Sequence, residues 1–173
     1  MATIDDVLAR EVLAGLDEAE PVALAQQLIR IPSYVWKESE VGYWIADWMR
    51  ARGFEVEIQE VSWRDKRDVH TTHQAIGTLK GDGTGPSLML CGHTDTSDWQ
   101  GRPFRESQWK HNPFNGDIED GYLYGLGAIN MKAGVASIMT AADLVRRSGR
   151  ALKGDLIVAC VTCETFGGNG AQR

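Results

Sequence analysis

Leu88-Met89-Leu90-Cys91-Gly92-His93-Thr94-Asp95-Thr96 is the stretch that decides the fold. Apolar residues run into a glycine, then a histidine, then an acid two positions on. The apolar run predicts a buried strand of a parallel sheet. Gly92 frees the backbone where the strand ends and sets His93 at its carboxyl end, the edge at which open α/β sheets bind ligands. A His-x-Asp pair there has a specific chemical sense. Neutral imidazole binds a metal through one nitrogen while a carboxylate holds the other N–H and fixes the tautomer. The same residues also fit a strand-end histidine capping a loop, with an ordinary turn aspartate.

Downstream of this strand, Asp98 to Gly116 is irregular and carries Trp99, Trp109, His111 and Pro113-Phe114. It reads as a loop over the sheet edge, where functional loops lie. His111 reads as a solvated loop histidine within reach of the site. Ile118 to Tyr124 is a hairpin with Asp120-Gly121 at its turn. A helix begins within Gly125 to Gly134 and runs to about Arg147, burying Met131, Val135, Ile138, Met139, Ala142 and Val145. Asp155 to Val161 is a second buried strand, ending in Thr162-Cys163-Glu164-Thr165-Phe166-Gly167-Gly168. Strand, glycine-rich connection, helix and strand make a βαβ pattern. The fold class is therefore α/β, a mostly parallel sheet flanked by helices.

Upstream lie three helical patterns. Thr3 to Leu16 has Thr3 as N-cap, Asp5 and Asp6 in its first turn, and a stripe of Ile4, Val7, Leu8, Val12 and Leu16. A second helix starts near Pro21, carries Val22, Leu24, Ala25, Leu28 and Ile29, and stops at Ile31-Pro32-Ser33. A third runs from Ser39 to Arg52 before Gly53, its Trp44 and Trp48 being core packing. The period then falls to two: Phe54, Val56 and Ile58 alternate with polar residues in a half-exposed strand. Trp63 to Thr72 is polar and reads as a loop, with His70 in it and His73 just beyond as surface histidines. Gln74 to Leu79 is a further strand, and Gly81 to Pro86 a turn.

The chain has 173 residues, enough for one ordinary domain, and 43% hydrophobic content places it among globular proteins. A net charge of −6 weighs against nucleic acid and anionic membrane as partners. No apolar run is long enough to span a bilayer. The acidic N-terminus lacks the features of a signal peptide, so cytoplasmic residence is expected. Three cysteines make no disulfide framework. Cys160 and Cys163 close a strand instead of opening a helix, and read as buried thiols and not as a redox or zinc pair. The chain ends three residues past a glycine-rich strand exit, which looks like a cut domain.

Three polar groups then fall at strand or helix ends: His93-x-Asp95, Asn130 and Glu164. Together they suggest a metal-assisted hydrolase in which His93 binds the metal, Asp95 orients it, and Glu164 takes a proton from water. Two other readings stay open. Gly125-x-Gly127-x-x-Asn130 mimics a dinucleotide fingerprint that lacks its third glycine. A degenerate or truncated relative could also survive as a binding or structural module.

The ordered motifs carry a resemblance. Ile31-Pro32-Ser33, Gly92-His93-Thr94-Asp95-Thr96, Asn112-Pro113-Phe114, Asp120 to Gly125, Gly127 to Gly134 and Glu164 to Ala171 resemble a dinuclear-zinc hydrolase family. Its members include acetylornithine deacetylase, succinyl-diaminopimelate desuccinylase, aminoacylase and glutamate carboxypeptidase. The resemblance implies that residues 1–173 are the N-terminal portion of a catalytic domain. It implies two zinc ions per site, with cobalt as a substitute, and a dimerisation domain that is absent here. The implied reaction is hydrolysis of an amide bond in an N-acylated amino acid or short peptide. His93 matches a zinc ligand, Asp95 the acid that orients it, and Glu164 the general base.

Four positions depart from the family pattern. Asn130 stands where the family has the aspartate bridging both metals, and Thr165 where it has a ligand glutamate. Leu126 and Cys163 replace a usual arginine and acid. An amide offers one neutral oxygen and an NH₂ that cannot coordinate, so Asn130 cannot bridge as a carboxylate does. A threonine hydroxyl is a poor zinc ligand. One good ligand, His93, is left where zinc needs at least three. The isolated chain is therefore expected to be inactive and to bind zinc weakly.

Overall fold

A computed structural model describes residues 4–64, 66, 68–97 and 109–173. Thr3, expected as an N-cap, lies outside these residues, as does Trp99. Helix α1 (Ile4–Leu13) is followed by α2 (Ala19–Arg30) and α3 (Ser39–Arg50), then strands β1 (Glu55–Arg64), β2 (Val69–Leu79) and β3 (Leu88–His93). A short hairpin of β4 (Asp117–Glu119) and β5 (Tyr122–Tyr124) precedes α4 (Ala133–Arg147) and β6 (Leu156–Val161). At the hairpin turn Asp120 and Gly121 both take positive φ, 51° and 79°, as the Asp-Gly signature requires.

The main sheet has the order β1-β2-β6-β3. The α/β class holds, with helices packed on a central sheet, but the expected predominance of parallel pairing does not. Among the described strands of this sheet β3 and β6 pair parallel, joined through α4, while β1–β2 and β2–β6 are antiparallel. The reason is a long hairpin. β1 and β2 pair without a break from Glu55↔Thr78 to Arg64↔Val69, so Trp63, Arg64 and Val69 to Thr72, expected to lie in a loop, are paired strand. His70 and His73 accordingly sit on β2 and are half-buried. His73 Nδ1 lies 3.0 Å from the Ser39 hydroxyl and its ring packs on Tyr43 at a tilt of 32°.

The core joins Leu24, Ala25 and Leu28 of α2, Val41, Ile45, Ala46 and Met49 of α3, and Val135, Ala136, Met139 and Ala142 of α4. These pack on Ala75, Leu79, Leu156, Val158 and Cys160 of the sheet. Trp44 and Trp48 pack against this cluster, as their helical spacing predicts. Among the described side chains helix α1 has none buried, and of its expected stripe Val7 is exposed while Leu8 and Val12 are half-buried.

β3 differs from the expected buried strand. It is the sheet's edge, and Leu88 and Met89 are 58% and 55% exposed. Burial returns at Gly92 and His93. Gly92 is there for space, since its φ is not positive. A Cβ would meet Met131 Cε and Val135 Cγ2 at 3.1 Å and Ile138 Cδ1 at 3.3 Å. The missing side chain lets α4 lie against the strand end and so fixes the height of His93 above the helix.

Candidate active site

His93 ends β3, and the next residues are clamped on both sides. Thr94 donates its N–H to the Val161 carbonyl at 2.9 Å, and its own carbonyl accepts from the Ser33 hydroxyl at 2.6 Å. Thr96 N–H donates to the Ser33 carbonyl at 2.8 Å. The Ile31-Pro32-Ser33 exit from α2 thus braces the strand exit that carries His93 and Asp95.

Asn130 arrives by another route. Gly127 takes φ 79°, a left-handed conformation that glycine adopts without strain, and the turn from Ala128 to Lys132 follows. Asn130 itself is extended, at φ −139° and ψ 97°. The turn is anchored by Lys132, which is buried and donates to the Leu28 and Ile31 carbonyls at 2.7 Å each. These carbonyls lie at the end of α2, where a basic group is favoured, and that of Leu28 also accepts from the Ile31 N–H at 3.3 Å. Burial pushes the Lys132 ammonium down to about 7.

Glu164 opens a single 3₁₀ turn after β6, preceded by Cys163 at φ 58°. Two buried carboxylates hold this turn by three consecutive backbone N–H groups. Cys163 N–H donates to Glu38 Oε1 at 3.2 Å, Glu164 N–H to Asp95 Oδ1 at 3.0 Å, and Thr165 N–H to Asp95 Oδ2 at 2.9 Å. The Thr165 hydroxyl also donates to Asp95 Oδ2, at 2.6 Å. Burial pushes the Asp95 carboxyl up, but donors from His93, Thr165 and the turn outweigh it and hold the group down at about 2. Burial raises Glu38, whose Oε2 has no hydrogen-bond partner.

The structure brings His93, Asn130 and Glu164 together. His93 Nε2 lies 3.0 Å from Asn130 Oδ1 and 3.6 Å from Glu164 Oε2. On the other side of the ring, Nδ1 is 3.1 Å from the Asp95 carbonyl and 3.5 Å from its carboxylate. Asp95 therefore meets the imidazole mainly through its backbone and spends its carboxylate on the turn. Burial pushes the imidazolium down, but Asp95, the Asn130 amide and Glu164 outweigh it and hold His93 up to about 9. Glu164 keeps a side chain 55% exposed and faces solvent.

Other candidate groups stay apart. The His111 ring packs on Tyr124, with Nε2 3.0 Å from Glu119 and Nδ1 3.5 Å from Asp117, so it belongs to the β4–β5 hairpin and is not a solvated loop side chain. Cys160 and Cys163 are free, buried thiols, each pushed up to about 12 chiefly by burial. Glu38 and Lys132 were not singled out by the sequence. Their partners lie 125 and more than 100 positions away, so no local spacing announces them.

The donor set bears directly on metal. Around His93 Nε2 stand one imidazole nitrogen, one neutral amide oxygen and one carboxylate. The Thr165 hydroxyl is turned to Asp95, and both Asp95 oxygens accept from the turn. Among the described residues no cluster of three or more His, Cys, Asp or Glu could hold a metal ion. These residues alone do not fit a pair of zinc ions, nor the three protein ligands of a single one.

A mixed sheet carrying helices, with an imidazole, an amide and a carboxylate gathered at one rim, defines an α/β domain with a polar site at the strand ends. The chain belongs to peptidase family M20/M25/M40, whose sequence pattern matches residues 89–173. It is 37% identical over 126 residues to a succinyl-diaminopimelate desuccinylase of Methylorubrum extorquens, covering 73% of this chain and 30% of that protein. It is 32% identical over 157 residues to the N-formyl-4-amino-5-aminomethyl-2-methylpyrimidine deformylase of Bacillus subtilis, covering 87% and 34%. The crystal structure of human carnosine dipeptidase 1 has the same fold, with TM-score 0.77 at 19% identity, covering 98% of this chain and 36% of that one. The chain thus spans about a third of the length of these relatives.

Proposed function

We propose that this chain is the N-terminal portion of a catalytic domain whose reaction is hydrolysis of the amide bond in an N-acylated amino acid or short peptide. The convergence of His93, Asn130 and Glu164 from three separate segments is the observation that supports it. In this reading Glu164 is the general base, which takes a proton from water attacking the amide carbonyl and passes it to the leaving amine. Asp95 is the positioning residue for both the imidazole and the turn that presents Glu164. His93 is a ligand of the family's zinc, with Asn130 and Thr165 at two further ligand positions. The desuccinylase and deformylase relatives share this chemistry, since each is named for cleaving one N-acyl amide.

The isolated 173 residues are inactive and bind zinc weakly, because the neutral Asn130 and Thr165 leave too few anionic donors. The dimerisation domain and the remaining ligands belong to the length that the relatives have beyond these residues. We place the protein in the cytoplasm; no helix among the described residues is long and apolar enough to cross a membrane.

Titration calorimetry with zinc or cobalt, paired with an assay on N-acetyl amino acids, tests the reading. The expected result is weak binding and no turnover for this chain. Both should be restored by Asn130→Asp with Thr165→Glu in a protein extended past Arg173. Tight binding of two zinc ions with hydrolysis by the 173 residues would overturn the inactivity. An extended, restored protein that stays inert with metal supplied overturns the reaction.

A further inference from the structure

We infer that the four-ring cluster of Trp36, Trp63, His70 and Phe166, beside the Glu164 turn, is a subsite for a planar heteroaromatic ring. The substrate class is then an N-acylated amino acid or peptide that carries a flat aromatic ring, in preference to an aliphatic one, and the pyrimidine amide named below serves as a planar probe. That the ring belongs to an amide substrate rests on the hydrolase reading; that the cluster binds a planar ring does not.

The rings come from three segments that have no local reason to meet. Trp63 and His70 are directly paired across the far end of the β1–β2 hairpin. Trp36 follows Tyr34, which bridges to Thr96 just past Asp95. Phe166 closes the 3₁₀ turn opened by Glu164. Trp36, Trp63 and His70 lie nearly parallel, at 15°, 20° and 31° to one another, with centroids 5.8, 5.9 and 5.5 Å apart. Phe166 stands at 75° to both indoles, 5.3 Å from Trp63 and 6.1 Å from Trp36. The arrangement is an aromatic floor with an upright aromatic wall.

This cluster is not core. None of the four rings belongs to the hydrophobic core, Phe166 is 43% exposed, and the other three are half-buried. Trp36 also sits at φ 66°, a left-handed conformation that a bulky L-residue adopts at a cost. Aromatic area left partly wet within two residues of the candidate base is suited to a guest ring. Such a ring stacks on an indole face and meets Phe166 edge-on, a gain open to any flat π-system and closed to an aliphatic chain.

The test uses the 173-residue chain without added metal. N-formyl-4-amino-5-aminomethyl-2-methylpyrimidine and an N-succinylated aliphatic amino acid are titrated separately, followed by tryptophan fluorescence and ligand-observed NMR. The expected result is saturable binding of the pyrimidine alone, weakened about ten-fold by Phe166→Ala and by Trp63→Leu, and retained by Trp63→Phe. Phe166 is exposed, so its variant carries the test if Trp63→Leu loses its far-UV circular dichroism. Absence of saturable pyrimidine binding at millimolar concentration overturns the inference, as does binding unchanged by Phe166→Ala. Equal, cluster-dependent binding of the succinyl amino acid also overturns it. Ring binding of the expected kind, with no turnover in the extended and restored protein, leaves the subsite standing and removes the hydrolase reading. Turnover of N-acetyl amino acids without ring binding does the reverse.

Discussion

Asp95→Asn isolates the group that ties the site together. The Asp95 carboxylate is wholly buried and accepts from the Glu164 N–H, the Thr165 N–H and the Thr165 hydroxyl, at 3.0, 2.9 and 2.6 Å. An asparagine keeps the shape but has one acceptor oxygen, and its NH₂ faces donors. At least one buried donor is stranded, at about 1–3 kcal/mol, and the remaining bonds lose their charge assistance. The lowered pKa expresses largely the same contacts in a second form. Holding the carboxyl at about 2, against an ordinary 3.8, corresponds to about 2 kcal/mol of folding stability. The group is depressed in the fold, so this stability is present above pH 4 and is lost as pH falls toward 2. Urea denaturation at pH 7 is therefore expected to show Asp95→Asn destabilised by about 2–3 kcal/mol with an unchanged m-value. The acid-side loss of the parent should be correspondingly flattened in the variant. Thr165→Val should cost about 1 kcal/mol, and the pair should be less than additive, since both remove one bond. A variant within about 0.5 kcal/mol of the parent at pH 7 refutes the view that Asp95 holds the Glu164 turn.

Asn130→Asp alone adds a carboxylate beside His93 Nε2 and Glu164, and zinc affinity by calorimetry should rise about ten-fold or more; no change would show that residue 130 is not a ligand position. Gly92→Ala forces a methyl against Met131 and Val135 at 3.1 Å and should cost about 1–2 kcal/mol, seen as a lower Tm. Under native conditions one thiol, the exposed Cys91, should react with iodoacetamide, while Cys160 and Cys163, pushed up to about 12, react only after denaturation; mass spectrometry counts the adducts.

The parts of the fold legible in the sequence are those whose signal is local. Helices α2, α3 and α4 bury faces spaced at three and four residues, and the glycines after α3 and α4 mark their ends. The strand that ends in His93 and the strand that leads to Glu164 are short apolar runs. The far half of the β1–β2 hairpin was not legible, because its inner face mixes Val61 and Trp63 with Thr72 and His70 and its outer face is mostly polar, so the apolar alternation is broken. Ser62 and Thr71 hydrogen-bond at 3.2 Å on the outer face, and Trp63 faces His70 on the inner one, so this half is held largely by cross-strand pairs and the backbone ladder, which leave only a short apolar period at Val61 and Trp63. The direction of most pairing was hidden for the same reason: a hairpin that reads as strand, loop and strand says nothing of its continuity.

The two departures at residues 130 and 165 also make physical sense together. The pocket already contains Asp95 and Glu164 around one imidazole, with Glu38 buried behind the Cys163 peptide. Two more carboxylates there would demand cations to offset them. A neutral amide at 130 instead accepts from His93, and a hydroxyl at 165 donates to Asp95. Each replacement finds a partner inside the chain that the charged residue would have had to seek in a metal. Reverting only one of them therefore leaves the pocket half adapted. Asn130→Asp alone should recover only part of the metal affinity and the full gain should need both changes, with Thr165→Glu giving up the hydroxyl bond to Asp95 and recovering its cost only when an ion is bound.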